Sequence, residues 1–295
     1  MALTTERPAL HHEMKTRRVT ILMPLRRYRP DFLRKSLSSV FGQSTAKWRL
    51  LIIVERCDQK HFTTLLEEQL KDSRIALIIN RGRRLGGALN TGMRYATTDF
   101  VAILFADDMW ATNAVAVLLR AIRQNPKADF FHSSRIIIDE QDQAVSSVHA
   151  SKDSFQIADF LHASPVKHLL CWRRELGLAV GGMDESHNHG PDDYDFPWTM
   201  AEAGAVFRAI PEPLYLYRDH RESYRLTTHV PLSSQKWALR RILKKHGIHS
   251  EMIRARLASA QASYLKQCLF ENRRDQHQKT KNGYDQRLGW RDTYQ

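Results

Sequence analysis

One short stretch constrains this chain more than any other. Phe100 to Ala106 is unbroken apolar sequence, and two carboxylates, Asp107 and Asp108, follow it directly. The run is long enough for one buried strand and far short of the ~20 residues a membrane span needs. A strand that is apolar on both faces belongs in a parallel sheet covered by helices. Such sheets carry their chemistry just beyond the carboxyl ends of their strands. Two acids at that place suit a hard divalent cation such as Mg2+ or Mn2+. They also suit a helix start, with Asp107 as the cap and Asp108 in the first turn beside the positive end of the dipole.

The flanking pattern agrees with a parallel sheet. Val19 to Pro24, Leu50 to Val54 and Ile75 to Ile79 read as strands. Between them, Phe32, Leu33, Leu37, Val40 and Phe41 form a helical stripe, and His61 to Leu70 can form a second helix. Alternating strands and helices at this spacing predict an α/β fold with a doubly wound central sheet. Ala111 to Gln124 is a further amphipathic helix. Phe130 to His132 and Ile136 to Ile138 read as two strands, with a hairpin or irregular excursion from Asp139 to Val148.

Three segments carry candidate chemistry besides the two acids. Arg26, Arg27 and Arg29 follow the first strand, where an anionic ligand would sit. Asn80 to Gly92 mixes arginine and glycine and runs into a helix. Its amides and guanidinium groups could hold phosphate, or the segment could be a solvated basic loop. Its glycine spacing matches neither a P-loop nor a dinucleotide fingerprint. Finally Asp184, Glu185, Asp192, Asp193 and Asp195 crowd into a dozen residues before a helix. Helix capping accounts for one or two of these acids; a general base or a cation site accounts for the rest.

Composition narrows the class. Lys and Arg number 45 against 32 Asp and Glu, a formal charge of +13, which points to an anionic partner. No nucleic-acid motif accompanies the charge, so nucleic acid is not the expected partner. Pro231 to Gln295 carries 14 of the basic residues against 5 acids in two helical patterns, Lys236 to His246 and Ser250 to Leu269. Trp237, Leu239, Ile242 and Leu243 are the apolar residues of the first. Such a basic tail can lie on an anionic membrane surface or simply pack as a helical appendage. Residues 272–295 are polar enough to stay disordered. Three distant cysteines make neither a disulfide framework nor a zinc spacing. The polar N-terminus shows no signal-peptide core, so the expected location is cytoplasmic, with peripheral contact at the inner membrane face as an option.

In this order the motifs resemble the family 2 glycosyltransferases of GT-A fold, which are inverting and nucleotide-sugar-dependent. The resemblance covers about residues 18–228 and is most specific in Gly181 to Glu185, Asp192 to Asp195, Ala203-Gly204 and Ile210 to His220. It implies a loose tail over 1–17, a GT-A domain over 18–228 and a basic helical extension over 229–295. It implies a nucleotide-sugar donor and a glycan or glycolipid acceptor, as in surface polysaccharide synthesis. Asp193 would be the catalytic base, with Asp192 as the fallback. Asp107, Asp108 and His220 would hold Mn2+ or Mg2+. Pro24, Leu25, Arg27, Glu55, Arg56, Arg84, Asn90 and Asp107 would line the donor site. The sequence departs from the family at Phe105, where the first aspartate of Asp-x-Asp belongs, and at Arg56, the place of a second-strand acid. These departures keep a second reading open, a non-catalytic nucleotide-sugar binder. Trp172, Trp198 and Tyr194 could stack on an acceptor sugar, although each is more naturally core.

Overall fold

A computed structural model of the chain describes residues 18–186, 191–220 and 231–282, with side chains omitted at Pro191 and over 267–282. The chain divides into two compact units, Met1–His220 and Arg221–Gln295.

The first unit is built on one sheet of eight strands: β1 (Val19–Leu25), β2 (Trp48–Val54), β3 (Ile75–Ile79), β4 (Phe100–Ile103), β5 (Met109–Trp110), β6 (Phe130–Ile138), β7 (Leu170–Arg173) and β8 (Phe207–Arg218). Their spatial order is β3-β2-β1-β4-β7-β6-β8-β5. The first four are parallel, as their apolar runs predict. Beyond β4 the sheet is mixed. β7 runs antiparallel to both β4 and β6, β8 runs parallel to β6, and β5 closes the edge antiparallel to β8.

Alternation along the parallel strands separates two cores. Ile21, Met23, Leu50, Ile52, Phe100 and Ala102 point to one face and join residues of the helices α1 (Pro30–Phe41) and α4 (Ala114–Gln124). Leu22, Leu51, Ile53, Val101 and Ile103 point to the other, where α3 (Arg84–Tyr95) and α6 (Phe196–Glu202) contribute Leu89, Met93, Phe196 and Met200. The apolar stretches are therefore strands buried on both sides.

Local departures from the sequence reading have local causes. The helix expected from His61 to Leu70 is α2 (Gln59–Leu65), followed by a separate 3-10 turn at Gln69–Lys71. The two strands expected between Phe130 and Ile138 are one strand, because β8 pairs along its whole length with register shifts at Ser133, Ser134 and Arg135 that absorb the irregularity. The excursion after it folds back through antiparallel bridges from Ile138 to Ala144 and from Arg135 to His149. A short helix α5 (Arg174–Ala179) follows β7.

The second unit contains α7 (Leu232–Lys245) and α8 (Ser250–Asn282), so part of the polar stretch expected to be disordered is helical. Trp237, expected on the apolar face of α7, is 53% exposed; Gln235, Ala238, Ile242 and Leu243 are buried instead. No described helix is long and apolar enough to cross a membrane.

Candidate active site

The parallel strands end at one edge, and the two acid groups converge beside it. Asp107 and Asp108 follow β4 and adopt different roles. Asp108 is buried; the Tyr215 hydroxyl donates to its Oδ2 and the Arg218 main-chain N–H to its Oδ1, both at 2.7 Å. Burial and the neighbouring Asp107 push its carboxyl up to about 7. Both oxygens of Asp108, expected as a metal ligand, are thus engaged inside the protein. Asp107 keeps its side chain 38% exposed, with Oδ2 at 3.1 Å from the His220 Nε2.

That pair has the chemistry of a divalent-metal edge. One carboxylate oxygen and one imidazole nitrogen suit Mn2+ or Mg2+, and neighbouring ligands on a small octahedral ion stand about 3 Å apart. Among the described residues no group of three or more His, Cys, Asp or Glu gathers as a complete cage. The two groups thus fit an ion that takes its remaining ligands from substrate and water.

Arg218 supports this corner from below. Its guanidinium is wholly buried, donating to the Asp107 and Asp139 carbonyls at 2.8 and 2.7 Å, pairing with Asp142 at 2.5 Å and stacking on Phe32 at 4.5 Å. Sequence reasoning missed Arg218 because a basic residue at a strand end looks solvated. Its partners lie 79 and 111 positions away.

The second acid group sits on a single π-helical turn, Pro191–Asp195, leading into α6. Such turns re-aim side chains that a regular helix would space evenly. Asp192 is buried and meets the His168 Nε2 at 3.0 Å. Asp193 stays partly exposed, and its main-chain carbonyl accepts from the Ser164 hydroxyl. Burial and the charge of Asp192 raise the Asp193 carboxyl above its ordinary range. For His168, burial disfavours the imidazolium, but the hydrogen bond and charge of Asp192, with Asp193 behind it, raise the net pKa.

His168 joins the two groups. Its ring stands 5.2 Å from Tyr215, which holds Asp108, and 5.6 Å edge-on from Phe105. Phe105, at the place of an absent acid, therefore forms a wall shared by both acid groups. His168 was not singled out from sequence; the only signal was its place in a dense segment before β7.

On the donor side the outcome is divided. Arg27 and Arg56 are exposed at the ends of β1 and β2, and Pro24 is half-buried. Glu55 accepts from the Asn80 side-chain amide at 2.9 Å. Leu25 is 2% exposed and belongs to the core, so it offers a ligand only its main chain. Asn90 and Arg84, expected at the donor site, both bond within the protein. Asn90 is buried and ties Met183 and Glu185 to α3 through bonds of 2.8 to 3.0 Å. Arg84 donates to the carbonyls of Glu185 and Ser186. At the helix start of the basic glycine segment, Glu185 accepts from the Arg83 N–H at 2.8 Å. A Cβ on Gly82 would fall 2.7 Å from that carboxylate. The anion at the positive end of this helix is the protein's own. Trp172 and Trp198 are buried core, and the Tyr194 hydroxyl donates to the Phe160 carbonyl.

Comparison with known proteins follows the same outline. The model for "Glycosyl transferase family 2" matches residues 20–175, more than half of the chain. The O-antigen biosynthesis protein RfbC of Myxococcus xanthus is 27% identical over 206 residues, 68% of this chain but 16% of that protein. The Escherichia coli enzyme WfgD, a UDP-Glc:alpha-D-GlcNAc-diphosphoundecaprenol beta-1,3-glucosyltransferase, is 32% identical over 122 residues, 40% of this chain and 46% of that one. The chain thus spans less than half the length of these two relatives. Among solved structures, S. aureus TarS in complex with UDP-GlcNAc aligns with a TM-score of 0.62 at 12% identity, covering 84% of this chain and 73% of that one. The Pyrobaculum calidifontis mannosyltransferase PcManGT, in complex with GDP-Man and Mn2+, aligns at 0.55 and 20% identity, covering 84% and 69%. These structures share the GT-A arrangement of sheet and helices seen here. The chain belongs to glycosyl transferase family 2.

Proposed function

We propose that the chain is an inverting glycosyltransferase that moves a sugar from a nucleoside diphosphate to an acceptor hydroxyl, in the assembly of a surface polysaccharide or glycolipid. The observation that supports this reading is the wall of Phe105, His168 and Tyr215, which links Asp108 to Asp192, the sequence neighbours of the partly exposed Asp107 and Asp193.

Asp193 is the general base. It takes the proton from the acceptor hydroxyl as that oxygen attacks the anomeric carbon, and its raised pKa keeps it basic enough for the task. Asp192 is a positioning residue, held by His168 and setting the charge beside the base. Asp107 and His220 are the residues that would hold Mn2+ or Mg2+. When bound, the ion supplies positive charge to the diphosphate leaving group. Arg27 and Arg56, exposed beyond β1 and β2, stabilise the same developing charge, and Pro24 and Glu55 border the nucleoside. The basic second unit is the candidate contact with an anionic membrane surface.

A panel of UDP-, GDP- and dTDP-sugars tests the proposal by nucleotide release with and without Mn2+. Release that disappears in Asp193→Asn supports it. Phe105 favours a second reading, a catalytically silent nucleotide-sugar binder, which would raise the melting temperature with a nucleotide sugar yet show no turnover with any metal.

A further inference from the structure

Beside the base lies a group of basic residues that the reaction as proposed does not use. Arg135, on β6, exchanges two main-chain hydrogen bonds with His149, at 3.1 and 2.8 Å. One residue before Arg135, the Ser134 hydroxyl accepts from the Ser151 N–H at 3.0 Å, which brings Lys152 alongside. One residue earlier again, Ser133 is bonded to Leu169 through main chain and hydroxyl, both at 3.0 Å, which places Lys167 and His168 on the other flank. Three separate segments thus set Arg135, His149, Lys152 and Lys167 around one spot. Ser164, in the same segment as Lys167, is bonded to the carbonyl of Asp193 itself.

The nearest acid is the base itself: Arg135 stands close enough to Asp193 to favour its carboxylate. Among the described residues, none of Arg135, His149, Lys152 and Lys167 forms an ion pair. The Arg135 guanidinium faces the Tyr217 ring at 5.0 Å, and its Nε is buried with no hydrogen-bond partner. Partial burial and the charges of Arg135 and Lys152 pull the Lys167 ammonium below its ordinary pKa, and burial with the same kind of repulsion does so at His149. Lys152 is exposed and His149 is held towards its neutral, hydrogen-bonding form, but Arg135 and Lys167 are half-buried like charges, and holding these together is unfavourable unless an anion joins them. Elsewhere the chain pairs its half-buried cations: Arg29 with Asp31 and Glu140, Arg74 with Asp72, Arg173 with Asp129.

We propose that Arg135, His149, Lys152 and Lys167 form an anion subsite on the acceptor side, and that the acceptor carries a phosphate or diphosphate close to the hydroxyl that is glycosylated. The inference rests on the transferase reading above, because Asp193 defines which side is the acceptor's. The anion would anchor the acceptor by charge-assisted hydrogen bonds while the base engages its hydroxyl. A lipid-linked diphosphate and a free sugar phosphate present the same group.

The test titrates the full chain with n-octyl diphosphate, inorganic pyrophosphate and uncharged n-octyl glucoside by calorimetry. The wild type and Lys152→Gln/Lys167→Gln are compared, each with and without mixed UDP, GDP and dTDP. The expected result is binding of the diphosphates but not the glucoside, surviving the nucleotides and weakened about tenfold or more in the double variant. Octyl diphosphate binding tighter than pyrophosphate would assign a lipid-linked source; equal binding would assign a free phosphate. Full displacement by the nucleotides, or equal binding by wild type and double variant, would overturn the subsite. Nucleotide-sugar binding, followed on the same wild-type sample, judges the transferase reading separately. Its absence beside intact diphosphate binding would sink that reading alone.

Discussion

Replacing His168 by Phe examines the contact on which the shared wall depends. Phe retains a ring beside Phe105 and Tyr215 but removes the 3.0 Å contact to Asp192, whose side chain is 7% exposed. Breaking a buried pair by deleting one partner costs about 3–5 kcal/mol. Against that stands a gain: the His168 Nδ1 is buried without a partner, a fault of about 1–3 kcal/mol that Phe abolishes. The net loss is about 2 kcal/mol, or roughly 4–8 °C in melting temperature for a unit of this size. The loss depends on pH. The folded pKa of His168 lies above the ordinary imidazole value, so its stabilisation is complete below about pH 6.5 and is lost as pH rises through the folded pKa. Wild type and His168→Phe should therefore differ more at pH 6 than at pH 9 in urea unfolding followed by tryptophan fluorescence. Adding Asp192→Asn to His168→Phe should restore most of the loss, because no buried charge then stands unpaired. Equal stability at pH 6, or a deficit that Asp192→Asn leaves untouched, would refute the reasoning.

Asp193→Asn should lower turnover by about 10²–10⁴-fold, as loss of a general base does, while the melting temperature stays near that of the wild type. Asp192→Asn should move the acid limb of the kcat/KM profile to lower pH. Activity requires ionised Asp193, whose pKa is raised by burial and by the charge of Asp192, and this variant removes the second cause. His220→Ala should weaken Mn2+ binding, read by calorimetry in the presence of nucleotide, since only Asp107 would remain of the pair at 3.1 Å. Gly182→Ala should destabilise the chain by about 1–3 kcal/mol in thermal melts. At φ +74° its Cβ would fall 2.4 Å from the Asn90 Oδ1 and unseat the loop that Asn90 holds.

Legibility of the site followed the range of the interactions that build it. Strands β1 to β4 were readable because burial on both faces writes itself as an unbroken apolar run. The helices between them were readable because one buried stripe repeats every turn. The two acid groups were visible for a related reason, since clustered carboxylates conflict with an ordinary core, and helix capping accounts for only some of them. What those carboxylates do was not visible. Asp107 and Asp108 are neighbours in sequence, yet one is half-exposed beside His220 and the other is sealed beneath Tyr215 and Arg218. Asn90 and Arg84 lie in α3, in a basic stretch that the sequence leaves open as a phosphate cradle or a solvated edge, and Glu185, about a hundred residues on, bonds to it instead.

By itself, then, the amino-acid order determined the class of sheet, its helical cover and the two places where charge gathers, because periodicity and composition act within a turn or a strand. Tertiary structure alone decided which acids stay open to a ligand, which half-buried cations are left without an ion pair, and that His168 stands between the two halves of the candidate site. Those outcomes depend on desolvation and on hydrogen bonds between segments far apart in the chain, and no local pattern encodes them.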